Sequence, residues 1–380
     1  MLTAVRPGLI AVVPLVPLET RADLAAAYTP GVGHKVRALV ADPASVRTHT
    51  GKGNTIAVVT DGSAVLGYGD LGPTAALPVM EAKAALFARF AGINAWPVCL
   101  DTRDVDEIVR TVELLAPGLG GVNLEDISAP RCFEIERRLS QRLSIPVFHD
   151  DQHGTAIVVL AALHNALRLV GKRMDRVRVV LVGAGAAGTA IAELLWSQGL
   201  TQLTICDRDG VLRRAVPSVQ AHHLRLARRC RPRQDDHTVT DALRGADVVI
   251  GVSTAGAIPA EALRGMARDA IVFALANPEP DVDPDLARRH AAVVATGRSD
   301  QPNQINNVLA FPGVFRGLLD ARVRRFTPAM AVAAARALAE LVPAGELRAD
   351  RIIPDPLDDR VAPSVAAAIT SVAVPTPRAC

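Results

Sequence analysis

Residues 177–196 read VRVVLVGAGAAGTAIAELLW. A β-branched apolar run, Val177–Val182, breaks at Gly183 into a glycine-rich turn. Apolar residues at helical spacing follow. The turn, Gly183-Ala184-Gly185-Ala186-Ala187-Gly188, has the form G-x-G-x-x-G, and it lies between a strand and a helix, as a dinucleotide-binding fingerprint requires. In that reading Gly183 makes the tight turn, Gly185 lets a pyrophosphate approach the backbone, and Gly188 allows the helix to pack closely on the strand. Ala186 and Ala187 open the helix whose N-terminus faces the phosphates. The fingerprint also asks for an acidic residue about 20 positions on, at the end of the next strand. Asp207 in TICDRDG stands there. It would hydrogen-bond the ribose 2′-OH and so favour NAD. Arg208, Arg213 and Arg214 follow closely and could receive a 2′-phosphate, which keeps NADP as the alternative.

On either side of this stretch, short β-rich runs alternate with helical ones. Downstream come QLTICD, helical material, ADVVIGV, a helix and AIVFALA. Upstream, TIAVV (55–59) and AVLGYG (64–69) flank Asp61-Gly62, a turn signal that predicts a hairpin. A helix over 74–92, strands at AWPVCL, GGVNL and IPVF, and a helix over 154–172 complete the first series. Strands separated by helices predict an α/β fold with parallel sheets. A chain of 380 residues is long for one domain. We expect an N-terminal α/β domain over 1–155, a Rossmann-type doubly wound domain over 156–320, and C-terminal helices over 321–380 that pack back on the first.

Composition excludes several classes of function. Aromatic residues make up 3%, too few for a base-stacking surface, and a net charge of +3 implies no polyanionic partner, so nucleic acid is not expected. The basic stretch from Leu212 to Arg233 interleaves Arg with Leu, Val and Ala and reads as a solvated helix face and its loop. No run reaches the ~20 apolar residues of a membrane span. LIAVVPLVPL (9–18), interrupted by Pro14 and Pro17, reads as a buried strand or an extended arm. Five widely spaced cysteines without C-x-x-C suggest a reducing cytoplasm and no zinc ribbon.

Two acidic pairs draw attention. Asp150 and Asp151 end the run IPVF, between His149 and His153, and Glu125 and Asp126 end GGVNL. Both fall at carboxyl ends of expected strands, where open α/β sheets place ligands. Four converging carboxylates would suit a hard cation, Mg²⁺ or Mn²⁺. Either pair could instead cap the following helix. His149 and His153 read as packing or supporting residues, because His149 precedes the helix. Lys83, on the apolar helix 74–92, is either a snorkelling lysine or a base whose pKa is lowered near a cation. Tyr28, before Thr-Pro-Gly, gives no signal beyond packing.

Taken together, seven stretches resemble the malic enzymes, most of all their short bacterial and archaeal NAD-dependent, oxaloacetate-decarboxylating form. They are VPLVPLETRADLAAAYTPGVG (13–33), TDGSAVLGYGDLGPTAALPVMEAKAALF (60–87), GGVNLEDI (120–127), IPVFHDDQHGTAIVVL (145–160), VLVGAGAAGTAIAELL (180–195), FALANPEPD (273–281) and TGRSDQPNQINNVLAFPGVFRG (296–317), with a weaker echo in RIIPDPLDDRV (351–361). The resemblance implies oxidative decarboxylation of L-malate to pyruvate with a nicotinamide cofactor and Mg²⁺ or Mn²⁺, in a homodimer. It implies Lys83 as general base and Tyr28 as general acid. Glu125, Asp126 and Asp151 would be metal ligands, and Asp150 would assist proton transfer. It also implies Asn277, beside the cofactor, and Asn307 as contacts to the substrate carboxylates. Two departures stand out. Ala64 occupies the place where many relatives carry a carboxylate-clamping arginine, and the usual E-G-K is E-A-K at Ala82, which suits a helix better than glycine.

Overall fold

The computed structural model describes residues 8–213 and 221–373, so Arg214 and Cys380 lie outside the described residues. Residues 8–20 form neither strand nor helix, in keeping with an extended arm. Helices α1 (Arg21–Ala27), α2 (Val32–Ala41) and α3 (Val46–His49) follow and bury none of their residues. The first sheet is built from β1 (Thr55–Thr60), α4 (Pro73–Ala91), β2 (Asn94–Cys99), α5 (Val105–Leu115), β3 (Gly121–Leu124), α6 (Arg131–Arg142) and β4 (Val147–His149). Its four strands are parallel in the order β2-β1-β3-β4. The order reverses at β1, which places a ligand-binding crevice at the carboxyl ends of β1 and β3.

No hairpin follows β1. Both of its edges are already taken, by β2 and β3, so no edge remains for residues 64–69. That stretch is a loop with left-handed backbone at Leu66 (φ 46°), Gly67 (φ 79°) and Gly69 (φ 90°), conformations no strand tolerates. Its base is anchored by Asp61, which accepts from Arg131 Nη2 at 2.7 Å, and by Ser63 Oγ, which accepts from the Ser128 amide at 2.9 Å.

Helix α7 (Thr155–Leu169) leads from the first sheet to the second. It is apolar all round, and eleven of its residues are buried, as expected of a helix enclosed by other elements. The second sheet comprises β5 (Arg178–Val182), α8 (Ala186–Ser197), β6 (Gln202–Asp207), β7 (Gly210–Val211), α9 (Ala221–Arg229), α10 (Val239–Leu243), β8 (Val248–Gly251), β9 (Ile271–Ala274), α11 (Pro284–Arg288) and β10 (Val293–Thr296). Its order is β10-β9-β8-β5-β6-β7, with the short β7 antiparallel to β6. Between β8 and β9, where a helix was expected, there is only a 3₁₀ turn, Ala260–Gly265. Here too the order reverses, between β5 and β8.

Three further helices, α12 (Phe311–Asp320), α13 (Pro328–Glu340) and α14 (Val361–Val372), close the chain. Helix α14 lies so close to α12 that a Cβ on Gly313 or Gly317 would come within 2.6 Å of Val365 or Ile369. Phe87 of α4 meets Phe311 and Phe315 of α12 at ring distances of 4.7 and 5.3 Å, and Phe148 of β4 meets Phe315 at 5.7 Å, joining α12 to the first sheet. Among the described residues, no helix is long and apolar enough to cross a membrane.

Candidate active site

Both crevices open into one cavity of about 580 Å³. The first sheet and its loops contribute Ala64, Leu66, Gly67, Lys83, Glu125, Asp126 and Asp151; the second contributes Ala187, Val252, Ser253, Asn277 and Asn307.

Glu125 and Asp126 follow directly on β3. Asp151 lies in a wide π-type turn, Asp150–Gly154, between β4 and α7. Neither acidic pair caps a helix through its side chain. One carboxylate oxygen from each of Glu125, Asp126 and Asp151 lies within 4.8 Å of the others. Asp126 sits at φ 53°, and its amide donates to Asp151 Oδ2 at 2.8 Å, which ties the two strand ends together. Asp126 Oδ2 is buried without a hydrogen-bond partner. Burial and its acidic neighbours push the Asp126 carboxyl up to about 9, and burial raises Glu125 and Asp151 as well. A buried, like-charged set of oxygens of this kind fits a hard divalent cation.

Lys83 resolves its ambiguity by position. It is 7% exposed on α4, with Nζ 2.9 Å from Glu125 Oε1 and 2.6 Å from Asp150 Oδ2. It does not snorkel to solvent. Burial pulls its pKa down, but Asp150 and Glu125 together hold it above the ordinary lysine value. This is opposite to the lowering expected of a lysine beside a cation, because in the protein alone the nearest charges are carboxylates. Asp150 is fully buried, and burial raises its pKa well above the usual range. Its Oδ2 holds Lys83, while Oδ1 is buried without a partner.

On the nucleotide side, Gly183 has φ 113°, and a Cβ there would approach the Val252 carbonyl to 2.7 Å. A Cβ on Gly188 would lie 1.9 Å from the Gly183 carbonyl oxygen. A Cβ on Gly185 would meet nothing within 4 Å, so the approach to the backbone is open. Ala186 begins α8 and Ala187 lines the cavity. Asp207 ends β6, with Oδ2 3.6 Å from His223 Nε2. Arg213 Nη2 donates to the backbone carbonyls of Arg233, Gln234 and Asp236, and Arg208 is exposed.

Asp207 does not line the cavity, and Tyr28 is left apart from the site altogether. It is 73% exposed and does not line the cavity. Other residues of the site were not singled out from sequence. Asn123 Nδ2 donates to Glu125 Oε2 at 2.9 Å; the period of two along β3 puts both on one face and could have flagged it. Asp281 accepts from the Ser253 amide at 3.0 Å and the Ala276 amide at 2.8 Å, fixing the strand ends beneath Asn277. Glu136 accepts from the His149 amide and pairs with His153 Nε2 at 2.8 Å, while His153 packs on Phe148 and Phe326.

Comparison with known proteins agrees with this arrangement. Residues 9–140 match the family model "Malic enzyme, N-terminal domain", and residues 152–374 match "Malic enzyme, NAD binding domain". The chain is 50% identical over 361 residues to the NAD-dependent malic enzyme of Geobacillus stearothermophilus, covering 95% of this chain and 76% of that protein. It is 52% identical over 356 residues to the bifunctional malic/malolactic enzyme of Bacillus subtilis, covering 93% and 87%. The structure of the NAD-dependent malic enzyme from Thermotoga maritima superposes with a TM-score of 0.91 at 45% identity, covering 96% of each chain. With β1 to β3, Glu125, Asp126, the second sheet and the glycine turn inside the matched segments, and with relatives about 50% identical over nearly the whole chain, the chain belongs to the malic enzyme family.

Proposed function

We propose that this chain catalyses the oxidative decarboxylation of L-malate to pyruvate and CO₂ with reduction of NAD. The observation that carries the proposal is one cavity holding the Lys83 amine, three carboxylates within 4.8 Å of one another, and residues beside the dinucleotide turn.

In this reading Glu125, Asp126 and Asp151 hold Mg²⁺ or Mn²⁺, and Asn123 orients Glu125. The cation, when bound, supplies polarisation of the oxygen on C2 and compensates the buried negative charge. A bound nicotinamide would supply the acceptor for the C2 hydride, and Lys83 takes the proton of the C2 hydroxyl. It must first be neutral, and Asp150, 2.6 Å away with its pKa raised by burial, is placed to accept the ammonium proton. Asn277 and Asn307 offer amides to the substrate carboxylates. The side chain at 64 is a methyl group, so nothing there duplicates their role. Ala186 and Ala187, at the start of α8, face the pyrophosphate, and Asp207 receives the ribose.

Tyr28 protonates C3 of the enolpyruvate in this scheme, which requires a surface on which the arm can seat. Support for a second copy as that surface comes from exposed apolar side chains. Val12 and Leu15 on the arm and Val40 on α2 are each at least 79% exposed, and Trp96 on edge strand β2 is 55% exposed. The proposal therefore includes a homodimer. A cytoplasmic setting is part of it, supported by Cys132, Cys206 and Cys230 as buried free thiols.

The test is near-ultraviolet absorbance of reduced nicotinamide with L-malate, Mn²⁺ and NAD or NADP, with and without chelator. Chelator-sensitive reduction of NAD with pyruvate as product is expected. No reduction of either cofactor by folded protein at high malate would refute it.

A further inference from the structure

We propose that His223 is a positioning residue for the adenosine ribose. It holds the Asp207 carboxylate by one oxygen so that the other faces the ribose hydroxyls, and it thereby contributes to the choice of NAD over NADP. The inference rests on reading the Gly183–Gly188 turn as a dinucleotide site.

The geometry comes from α9, which the fingerprint does not include. His223 Nε2 lies 3.6 Å from Asp207 Oδ2, with the two side chains 13% and 24% exposed. That separation is longer than a hydrogen bond, and it is an ion pair when the imidazole carries its second proton. His222 packs on His223 with ring centroids 4.1 Å apart, and on Phe133 of α6 at 5.3 Å. Phe133 belongs to the first sheet's layer, so the pair is wedged in place and does not swing freely in solvent. His222 also lies beside the Ala184 carbonyl, within the glycine turn, and its Nδ1 is buried without a partner. The two histidines thus touch both halves of the fingerprint: the turn through His222 and the acidic residue through His223.

Two of the neighbouring arginines are turned to other work, while Arg208 is exposed. Arg213 is committed to three backbone carbonyls, and Arg225 pairs with Glu193 at 2.8 Å. An aspartate at a strand end has two free torsions, and it can bind two adjacent hydroxyls only in one orientation of its carboxylate plane. His223 restricts that orientation. A 2′-phosphate entering the same place would meet the Asp207 charge head on.

The test is direct titration of the protein with NADH and with NADPH, followed by nicotinamide fluorescence, without malate or metal. Four variants are compared: His223→Ala, His223→Asn (which keeps an N–H donor), Asp207→Ala, and the double variant H223A/D207A. We expect His223→Ala to weaken NADH about three- to tenfold, the scale of one lost polar contact. His223→Asn should recover most of that loss, and NADPH binding should change by less than about twofold. In the Asp207→Ala background the His223→Ala change should have no further effect, because His223 acts through Asp207. Equal weakening of NADH in both backgrounds, or equal weakening of NADH and NADPH, would overturn the assignment. If the Ala variant does not fold, His223→Leu, which keeps the bulk but offers no donor, takes its place in the same cycle. Wild-type protein that binds neither dinucleotide would overturn the reading of the turn itself, and the role of His223 with it.

Discussion

Replacing Lys83 by Met, close in shape but uncharged, should leave Glu125 and Asp150 buried without their cation. The two carboxylates are 3% and 0% exposed and lie 2.9 and 2.6 Å from the Lys83 amine. Removing one partner of such a buried pair costs about 3–5 kcal/mol. The cost depends on pH, with a sign that follows from the raised carboxyl pKa values. A carboxyl that stays protonated when folded but ionises when unfolded makes stability fall by about 1.4 kcal/mol per pH unit. The variant should therefore melt close to wild type below the unfolded carboxylate range, about pH 4, and fall progressively behind as pH rises through the raised folded values. For 380 residues, an unfolding entropy of about 0.8 kcal/mol/K turns 4 kcal/mol into a Tm loss of about 5 °C. Calorimetric melts in chelator, at acid and at neutral to alkaline pH, measure this directly. Added Mn²⁺ should restore part of the loss, while turnover should stay down by about 10²–10⁴. Equal Tm values for variant and wild type at every pH would refute the claim that Lys83 compensates this cluster.

Asn123→Ala removes the donor that orients Glu125, and should weaken Mn²⁺ about ten- to a hundredfold, as such outer contacts do, when measured by calorimetric titration; unchanged affinity would separate Glu125 from the metal. Burial pushes the Asp281 carboxyl up to about 6 from 3.8, against the opposing pull of the amides it holds. Its contribution to stability is therefore present below 3.8 and lost as pH rises through about 6, and Asp281→Asn should flatten the Tm profile across that window. Tyr28→Phe and Lys83→Met, each inactive alone, should recover activity when unfolded and refolded together, toward about a quarter of wild type if mixed dimers hold one intact site. No recovery, from mixtures shown to contain mixed dimers, would place both residues of one site in the same chain.

The glycine turn was legible in sequence because its chemistry is local: strand, turn and helix lie within twenty residues, and each glycine answers a backbone constraint. The acidic pairs were half legible. Their place after apolar runs put them at strand ends, but whether they cap helices or converge depends on β3 and β4 being neighbours, which no local pattern states. Lys83 was ambiguous for the same reason: helical spacing put it on an apolar helix, and its carboxylate partners lie 42 and 67 residues away in sequence. The hairpin expected at 55–69 fails on topology. Asp61-Gly62 does turn the chain, but the strand order gives both edges of β1 to others. The stretch then serves as a loop over the carboxylates, with the Ala64 amide donating to the Asp126 carbonyl at 3.0 Å.

The charge of the cavity connects the fold to the chemistry. Four carboxyl groups, from Glu125, Asp126, Asp150 and Asp151, surround one ammonium, and in the protein alone Asp150, Glu125 and Asp151 hold Lys83 in its protonated form. A base must be neutral, so the role proposed for Lys83 requires that some of that negative charge be answered by another cation. Three of the carboxylates have oxygens mutually within reach of one ion; the fourth, Asp150, is the one left bonded to Lys83. On the proposed reading, a cation gathered by Glu125, Asp126 and Asp151 would reduce the field on Lys83 and leave Asp150 as its proton partner. Coupling of this kind would make the basicity of Lys83 a reporter of metal occupancy. It also explains why the site lies where the reversal in strand order of the first sheet faces that of the second. The proposed reaction requires hydride acceptor, base and cation to reach a single carbon, and one cavity between two such crevices offers that place from separate stretches of the chain.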